Sequence, residues 1–242
     1  MKALIFAAGL GERMRPLTET TPKPLLQAGG KPLIVWHLEK LAALGIRDVV
    51  INTSWLAEQF PRTLGDGAHW GLRIAYSYEG GTPLETGGGM LHALPLLGAE
   101  PFLLVNGDIW TDFDFATLPL SPPGLAHLVM VDSPGYATQG DFALDENGLV
   151  RSEGARMLTY SGIGIYRPEL LAGWRGTIDP TAEAQQTPPR FKLAPLLRAA
   201  MKDGSISGEH HRGAWTDVGT PERLRQLDAS LAMHGENTSS RQ

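Results

Sequence analysis

The chain has 242 residues, 42% of them hydrophobic and 19% charged, with a net charge of −5 and no cysteine. That length suits one large domain, and the charge argues against a broad nucleic-acid-binding surface. The missing thiols exclude disulfides, iron–sulfur clusters, cysteine nucleophiles and cysteine-based zinc sites. The opening M-K-A-L-I-F-A-A-G carries an apolar run far too short to span a membrane, and no signal-peptide pattern follows it, so the reading is a soluble cytoplasmic protein with no membrane partner.

In chain order, Lys2 to Ala8 reads as a buried strand closed by a glycine turn. Lys31 to Leu44 spaces Ile34, Leu38, Leu41 and Ala42 along one helical face, with Gly45 as its stop. Val49 to Thr53 is a β-branched strand, and Leu56 to Leu64 a helix that Pro61 shortens or bends. Leu72 to Tyr78 is a strand, Met90 to Leu97 a helix, and Phe102 to Val105 a fourth buried strand. This alternation implies a mostly parallel sheet covered on both faces. Ala126 to Val131 and Gly162 to Tyr166 are further strands, and Asp141 to Val150 a hairpin. Asp179 to Pro189 reads as a surface loop, and Leu193 to Met201 and Pro221 to Met233 as helices before a polar tail.

The loop after the first strand holds the densest chemistry. Gly9 and Gly11 permit positive φ and close backbone approach, so their amides suit an anion, and Arg13, Arg15 and Lys23 add positive charge. In an open α/β sheet this is also where ligands sit. Two common nucleotide signatures fail: no third glycine follows Gly9-Leu10-Gly11, and no P-loop string occurs. The seven histidines form no H-E-x-x-H, and the neighbours His210 and His211 point to opposite faces if they lie in a strand.

Ala8-Gly9-Leu10-Gly11-Glu12-Arg13-Met14, then Pro16-Leu17-Thr18, Pro22-Lys23-Pro24-Leu25 and Gly30-Lys31-Pro32-Leu33-Ile34, resembles the signature of sugar-1-phosphate nucleotidyltransferases. The resemblance implies one Rossmann-like α/β domain over residues 1–234, a mostly parallel mixed sheet flanked by helices, and a polar tail over 235–242. It implies a reaction of a nucleoside triphosphate with a sugar 1-phosphate and no protein partner. Arg13 would meet the leaving pyrophosphate and Lys23 the α-phosphate. Asp108 in Asn106-Gly107-Asp108, and Asp217 in Trp215-Thr216-Asp217-Val218-Gly219, would hold Mg²⁺. Ala8, Gly9, Gly11, Glu79 and Glu85-Thr86-Gly87 would contact the nucleotide, Glu85 standing where relatives carry glycine. Asn106 and Glu153 would meet the sugar, with Arg156, Arg190 or Lys192 in place of an absent phosphate-binding lysine. Length and the Leu84-Glu85-Thr86-Gly87-Gly88-Gly89 string most resemble the N-acetylmuramate 1-phosphate uridylyltransferase branch, which uses UTP. A mannose-1-phosphate guanylyltransferase is the alternative, and a catalytically silent nucleotide-sugar sensor or regulatory subunit the rival of another class.

Overall fold

In the computed structural model, which describes residues 1–135 and 139–239, the first strand β1 (Lys2–Phe6) turns Leu4 to one face of a sheet and Ala3 and Ile5 to the other. All three are fully buried, because helices cover both faces. Three strands run parallel with it: β2 (Asp48–Thr53) pairs β1, β3 (Arg73–Tyr78) pairs β2, and β4 (Phe102–Asn106) pairs β1 on its other edge. The sheet continues through β5 (Ala126–Val131), β6 (Phe142–Leu144), β7 (Val150–Arg151), β8 (Met157–Tyr166) and β9 (Ile206–His211). Its main path runs β9-β5-β8-β4-β1-β2-β3, in which only β8 opposes the others. The β6–β7 hairpin joins the start of β8.

Four helices of this layer and one at the chain end do the covering. Helix α1 (Leu33–Ala43) and α2 (Gln59–Leu64) pack Ile34, Leu38, Leu41, Phe60 and Leu64 against the Ala3/Ile5 face. Helix α3 (Glu85–Leu97) and α4 (Ala194–Lys202) pack Met90, Ala93, Leu197 and Met201 against the Leu4 face. Helix α1 stops where expected: Gly45 takes φ +82°, and the Gly45 and Ile46 amides close on Ala42 O and Leu41 O. Helix α5 (Pro221–Ser239) buries Leu224 and Leu227 against Met14 and Val218, which seats the glycine-rich loop on the late part of the chain. The polar segment set apart from residue 235 thus begins inside α5, and residues 240–242 lie outside the described residues. Among the described residues no helix is long and apolar enough to cross a membrane.

Several elements differ from the sequence reading. The glycine run 87–89 lies inside α3 instead of ahead of it. A short helix, Ala182–Gln185, interrupts the expected loop 179–189, because the Thr181 hydroxyl accepts the Ala184 amide. Strand β9 was not expected; its I-S-G-E-H-H sequence carries one β-branched apolar residue, and it pairs along its length with β5 and meets Leu149 through a single bridge at Ser207. Its adjacent histidines do point apart, His210 lying 3.0 Å from Asp132 and His211 2.8 Å from Asp112.

Candidate functional site

The direction of chain progress reverses between β1 and β4, since β2 and β3 extend the sheet one way from β1 and β4 lies on the other side. Ligands in open α/β sheets bind beyond the carboxyl ends of the strands at such a point. A cavity of about 720 Å³ opens there. The polar groups at the strand ends converge on it: Ala7 and Ala8 after β1, Asn52 in β2, Glu79 after β3, and Asn106 and Asp108 at the end of β4.

The glycine-rich loop forms one wall. Gly11 takes φ +65°, and a Cβ there would stand 2.8 Å from Thr18 Cγ2, while the Thr18 hydroxyl donates to Gly11 O at 2.8 Å. Gly9 differs from the expectation, for its φ is not positive and a Cβ there would meet nothing within 4 Å. Its glycine leaves open space at the cavity wall. Arg13, exposed on a single 3₁₀ turn (Glu12–Met14), also lines the cavity.

Asn52 was not singled out from the sequence, yet it ties three strands together. Its Oδ1 accepts the Ala7 amide at 2.7 Å and its Nδ2 donates to Glu79 Oε1 at 2.6 Å. Glu79 Oε2 accepts the Leu84 amide at 2.7 Å, just ahead of α3. Burial pushes the Glu79 carboxyl above its ordinary range, against the pull of those two donors. Glu79 lines the cavity where a nucleotide contact was expected, and each of its oxygens also braces a protein group. The readable signal was a polar residue closing an apolar run, Val49-Val50-Ile51-Asn52.

Glu85 and Thr86 line the opposite wall; Gly87 does not. The Gly87 and Gly88 amides both donate to Phe191 O, at 2.9 and 3.0 Å, and the Thr86 hydroxyl accepts the Leu193 amide at 2.9 Å. A Cβ on Gly87 would fall 2.5 Å from the Phe191 ring, one on Gly88 2.4 Å from Pro189 O, and one on Gly89 2.4 Å from Glu79 Oε1. Three glycines inside a helix cost about 1 kcal/mol each relative to alanine. Here they let segment 189–193 and the Asn52–Glu79 pair lie flush against α3, so the Gly87 amide serves packing instead of the expected nucleobase contact. Arg190 on that segment lines the cavity and donates to Pro83 O at 3.0 Å, Glu183 at 2.8 Å and Glu85 at 3.1 Å. Glu85, in the left-handed region at φ +63°, is thereby held at the rim.

The two segments that carry the expected metal carboxylates, Asp108 and Asp217, lie side by side. Strand segment Trp215–Asp217 pairs antiparallel with Ile109–Thr111, setting Asp217 opposite Ile109, and the Val218 amide donates to Asp108 O at 2.8 Å. Each carboxylate carries a cation: Lys23 Nζ lies 2.5 Å from Asp108 Oδ2, and Arg223 Nη1 bonds Asp217 Oδ1. Among the described residues no group of three or more His, Cys, Asp or Glu stands together, but two carboxylates on joined segments are hard oxygen donors of the kind that suits a magnesium ion. Behind Asp108, the buried His37 contacts Ile109 O at 2.9 Å, and Lys40 donates to Thr111 O and Phe113 O. Burial depresses His37 to about 4.

The sugar-side residues scatter. Asn106 lines the main cavity, given room by Gly162, whose φ is +82° and whose Cβ would fall 2.5 Å from Asn106 Nδ2. Glu153 instead lines a second cavity of about 690 Å³ with Asp141, Ser152 and Arg198. Arg156 is outside both and pairs with Asp132 at 2.6 Å; Lys192 is exposed and lines neither. Of the three basic candidates only Arg190 reaches the main cavity.

Residues 2–119 match the family model described as nucleotidyl transferase. Over 236 residues, 95% of this chain and 97% of the relative, the sequence is 49% identical to a Neisseria meningitidis protein named N-acetylmuramate alpha-1-phosphate uridylyltransferase. A Caulobacter vibrioides protein of the same name is 35% identical over 95% of this chain and 96% of its own length. A solved structure described as a putative glucose-1-phosphate thymidylyltransferase from Bacillus anthracis, in complex with a sucrose, shares the fold with a TM-score of 0.81 at 20% identity, covering 96% of this chain and 95% of that one.

Proposed function

The chain belongs to the nucleotidyl transferase family, and we propose that its reaction joins UTP and N-acetylmuramate 1-phosphate to give UDP-N-acetylmuramate and pyrophosphate. The observation that supports the chemistry is the pairing of the segments carrying Asp108 and Asp217, with Asp108 on the cavity that the glycine-rich loop also lines. The choice of substrates rests on near full-length similarity to two uridylyltransferases of that name.

A sugar-phosphate oxygen attacks the α-phosphorus in line; the new P–O bond forms as the bond to the pyrophosphate oxygen breaks, and the leaving group keeps the electron pair. The nucleophile is already an anion at neutral pH, so no general base is needed. Catalysis then rests on orientation and charge stabilisation. The open wall at Gly9 admits the phosphates, Arg13 meets the pyrophosphate, and Lys23 moves from Asp108 to the α-phosphate. A magnesium ion held by Asp108 and Asp217 supplies charge neutralisation at phosphate oxygens. Thr82, Pro83, Glu85 and Thr86 form the wall for the base, and Asn106 faces the sugar phosphate. In this reading the protein belongs to the cytoplasm and to peptidoglycan recycling.

The test is pyrophosphate release with Mg²⁺, crossing UTP, GTP and dTTP against the 1-phosphates of N-acetylmuramate, N-acetylglucosamine, glucose and mannose. UTP with N-acetylmuramate 1-phosphate should lead clearly. A preference for GTP and mannose 1-phosphate would overturn the substrates and leave the chemistry. Silence in every combination, with tight nucleotide binding, would replace an enzyme by a sensor.

A further inference from the structure

Arg223 has no part in the reading above, yet its place is unusual. It is the third residue of α5, where the helix dipole disfavours a cation. Its side chain is 13% exposed, and its Nη1 donates both to Asp217 Oδ1 and, at 3.2 Å, to Asp217 O. Its Nε approaches the Thr220 hydroxyl at 3.5 Å, an oxygen that also accepts the Arg223 amide at 3.3 Å. A planar guanidinium gripping a carboxylate oxygen and the carbonyl of the same residue fixes that side chain's rotation.

Gly219 completes the arrangement. A Cβ there would fall 2.5 Å from Arg223 Nη2 and 2.9 Å from Asp217 Oδ2, so only glycine leaves both groups where they are. Gly219 also lines the main cavity, so the Asp217 carboxylate and the Arg223 guanidinium both lie next to a residue of its wall, with Nη1 of the arginine on Oδ1. The spacing Asp217-x-Gly219-x-x-x-Arg223 is thus one device: an aspartate, a gap and a clamp.

We propose that Arg223 is a positioning residue for the metal carboxylate, holding Asp217 so that Oδ2 is presented to the divalent cation. The inference rests on the metal reading given under the proposed function. Groups that orient a ligating carboxylate typically contribute 10- to 100-fold in metal affinity.

The experiment is Mn²⁺ binding followed by electron paramagnetic resonance, with a non-cleavable α,β-methylene analogue of UTP. Arg223→Met should weaken Mn²⁺ binding in that complex about 10-fold or more. Analogue binding in EDTA should stay unchanged, and Arg223→Lys, which keeps the charge but not the fork, should fall between. In turnover the Met variant should show a raised KM for Mg²⁺, with kcat largely recovered at saturating metal. Gly219→Ala, which displaces the clamp and leaves its residues in place, should weaken Mn²⁺ in the same direction and serves if Arg223→Met does not fold. Unchanged or tighter Mn²⁺ binding in folded Arg223→Met would overturn the role. Wild-type protein that takes up no Mn²⁺ with the analogue would overturn the metal reading itself, and this role with it.

Discussion

The contact between Asn52 and Glu79 can be tested by exchanging one amide for one carboxyl. Asn52→Asp keeps the oxygen that accepts the Ala7 amide but replaces the Nδ2 donor, 2.6 Å from Glu79 Oε1, with a second carboxylate oxygen. Both residues are buried, at 3% and 6% exposure, so two charges cannot persist there. One proton must take the place of the lost amide hydrogen. Glu79 itself already sits above its ordinary 4.5 in the fold, so its favourable contribution is present below that value and lost as pH rises through the raised one. The variant sharpens this dependence. Its unfolded chain gives up both protons by about pH 5, whereas the folded pair keeps one, and stability falls by about 1.4 kcal/mol per pH unit for as long as it does. Asn52→Asp should therefore lie within about 1 kcal/mol of wild type at pH 5 and lose about 3 kcal/mol by pH 7. Asn52→Ala leaves one N–H and one carboxylate oxygen unpaired at both pH values, for a loss of roughly 2–6 kcal/mol. Urea unfolding followed by tryptophan fluorescence at pH 5, 6 and 7 reads all three. An Asn52→Asp loss of the same size at pH 5 and pH 7 would refute the contact.

Gly88→Ala sets a methyl 2.4 Å from Pro189 O, a backbone atom that cannot rotate away, and should cost about 1–3 kcal/mol in urea unfolding; an unchanged midpoint would mean segment 189–193 does not seat on α3. His37, held at about 4 against an ordinary 6.5, favours folding fully above 6.5 and loses that contribution as pH falls toward 4, some 2.5 units or about 3 kcal/mol. Gln at that position keeps a donor for Ile109 O but not the titration, so His37→Gln should lose less stability between pH 7 and 4.5 than wild type does, and an equal loss would contradict a buried neutral imidazole.

What the sequence displayed was whatever local periodicity or a dense motif carries. Strands β1 to β4 each form short apolar runs, and their ends are where the motif residues fall, so the sheet, the glycine-rich loop and Asp108 were legible together. Asp217 was reached by resemblance, and its antiparallel pairing with Ile109 and its contact with Arg223 could not be read from the sequence. The glycines of α3 were visible as a need for close approach, but a glycine does not say what approaches, and here it is Phe191 and Pro189. Glu153 came from the resemblance and Arg156 and Lys192 were gathered by charge type, and the fold sends the three side chains to different places. Arg223 had a faint signal, a cation where a helix start favours an anion.

Lys23 and Arg223 each pair with a carboxylate proposed to hold the metal, and in that reading their tasks are opposite. Lys23 Nζ stands 2.5 Å from Asp108 Oδ2 at the cavity, so it would compete with a divalent ion approaching that oxygen. Arg223 approaches Asp217 from α5 and bonds its Oδ1, so in the role proposed for it the arginine would serve the metal. Substitution should therefore move Mn²⁺ affinity in opposite directions. Lys23→Met, measured without nucleotide, should bind Mn²⁺ several-fold more tightly than wild type, because Asp108 no longer has to release an ammonium first. The same variant should lose roughly 10²- to 10³-fold in kcat, since the cation that leaves Asp108 is the one that meets the α-phosphate. Tighter metal with slower chemistry is a combination that neither a merely structural lysine nor a simple metal-site defect produces. Near-normal kcat would remove Lys23 from catalysis, and weaker Mn²⁺ binding would show that its pairing with Asp108 supports the metal site instead of guarding it.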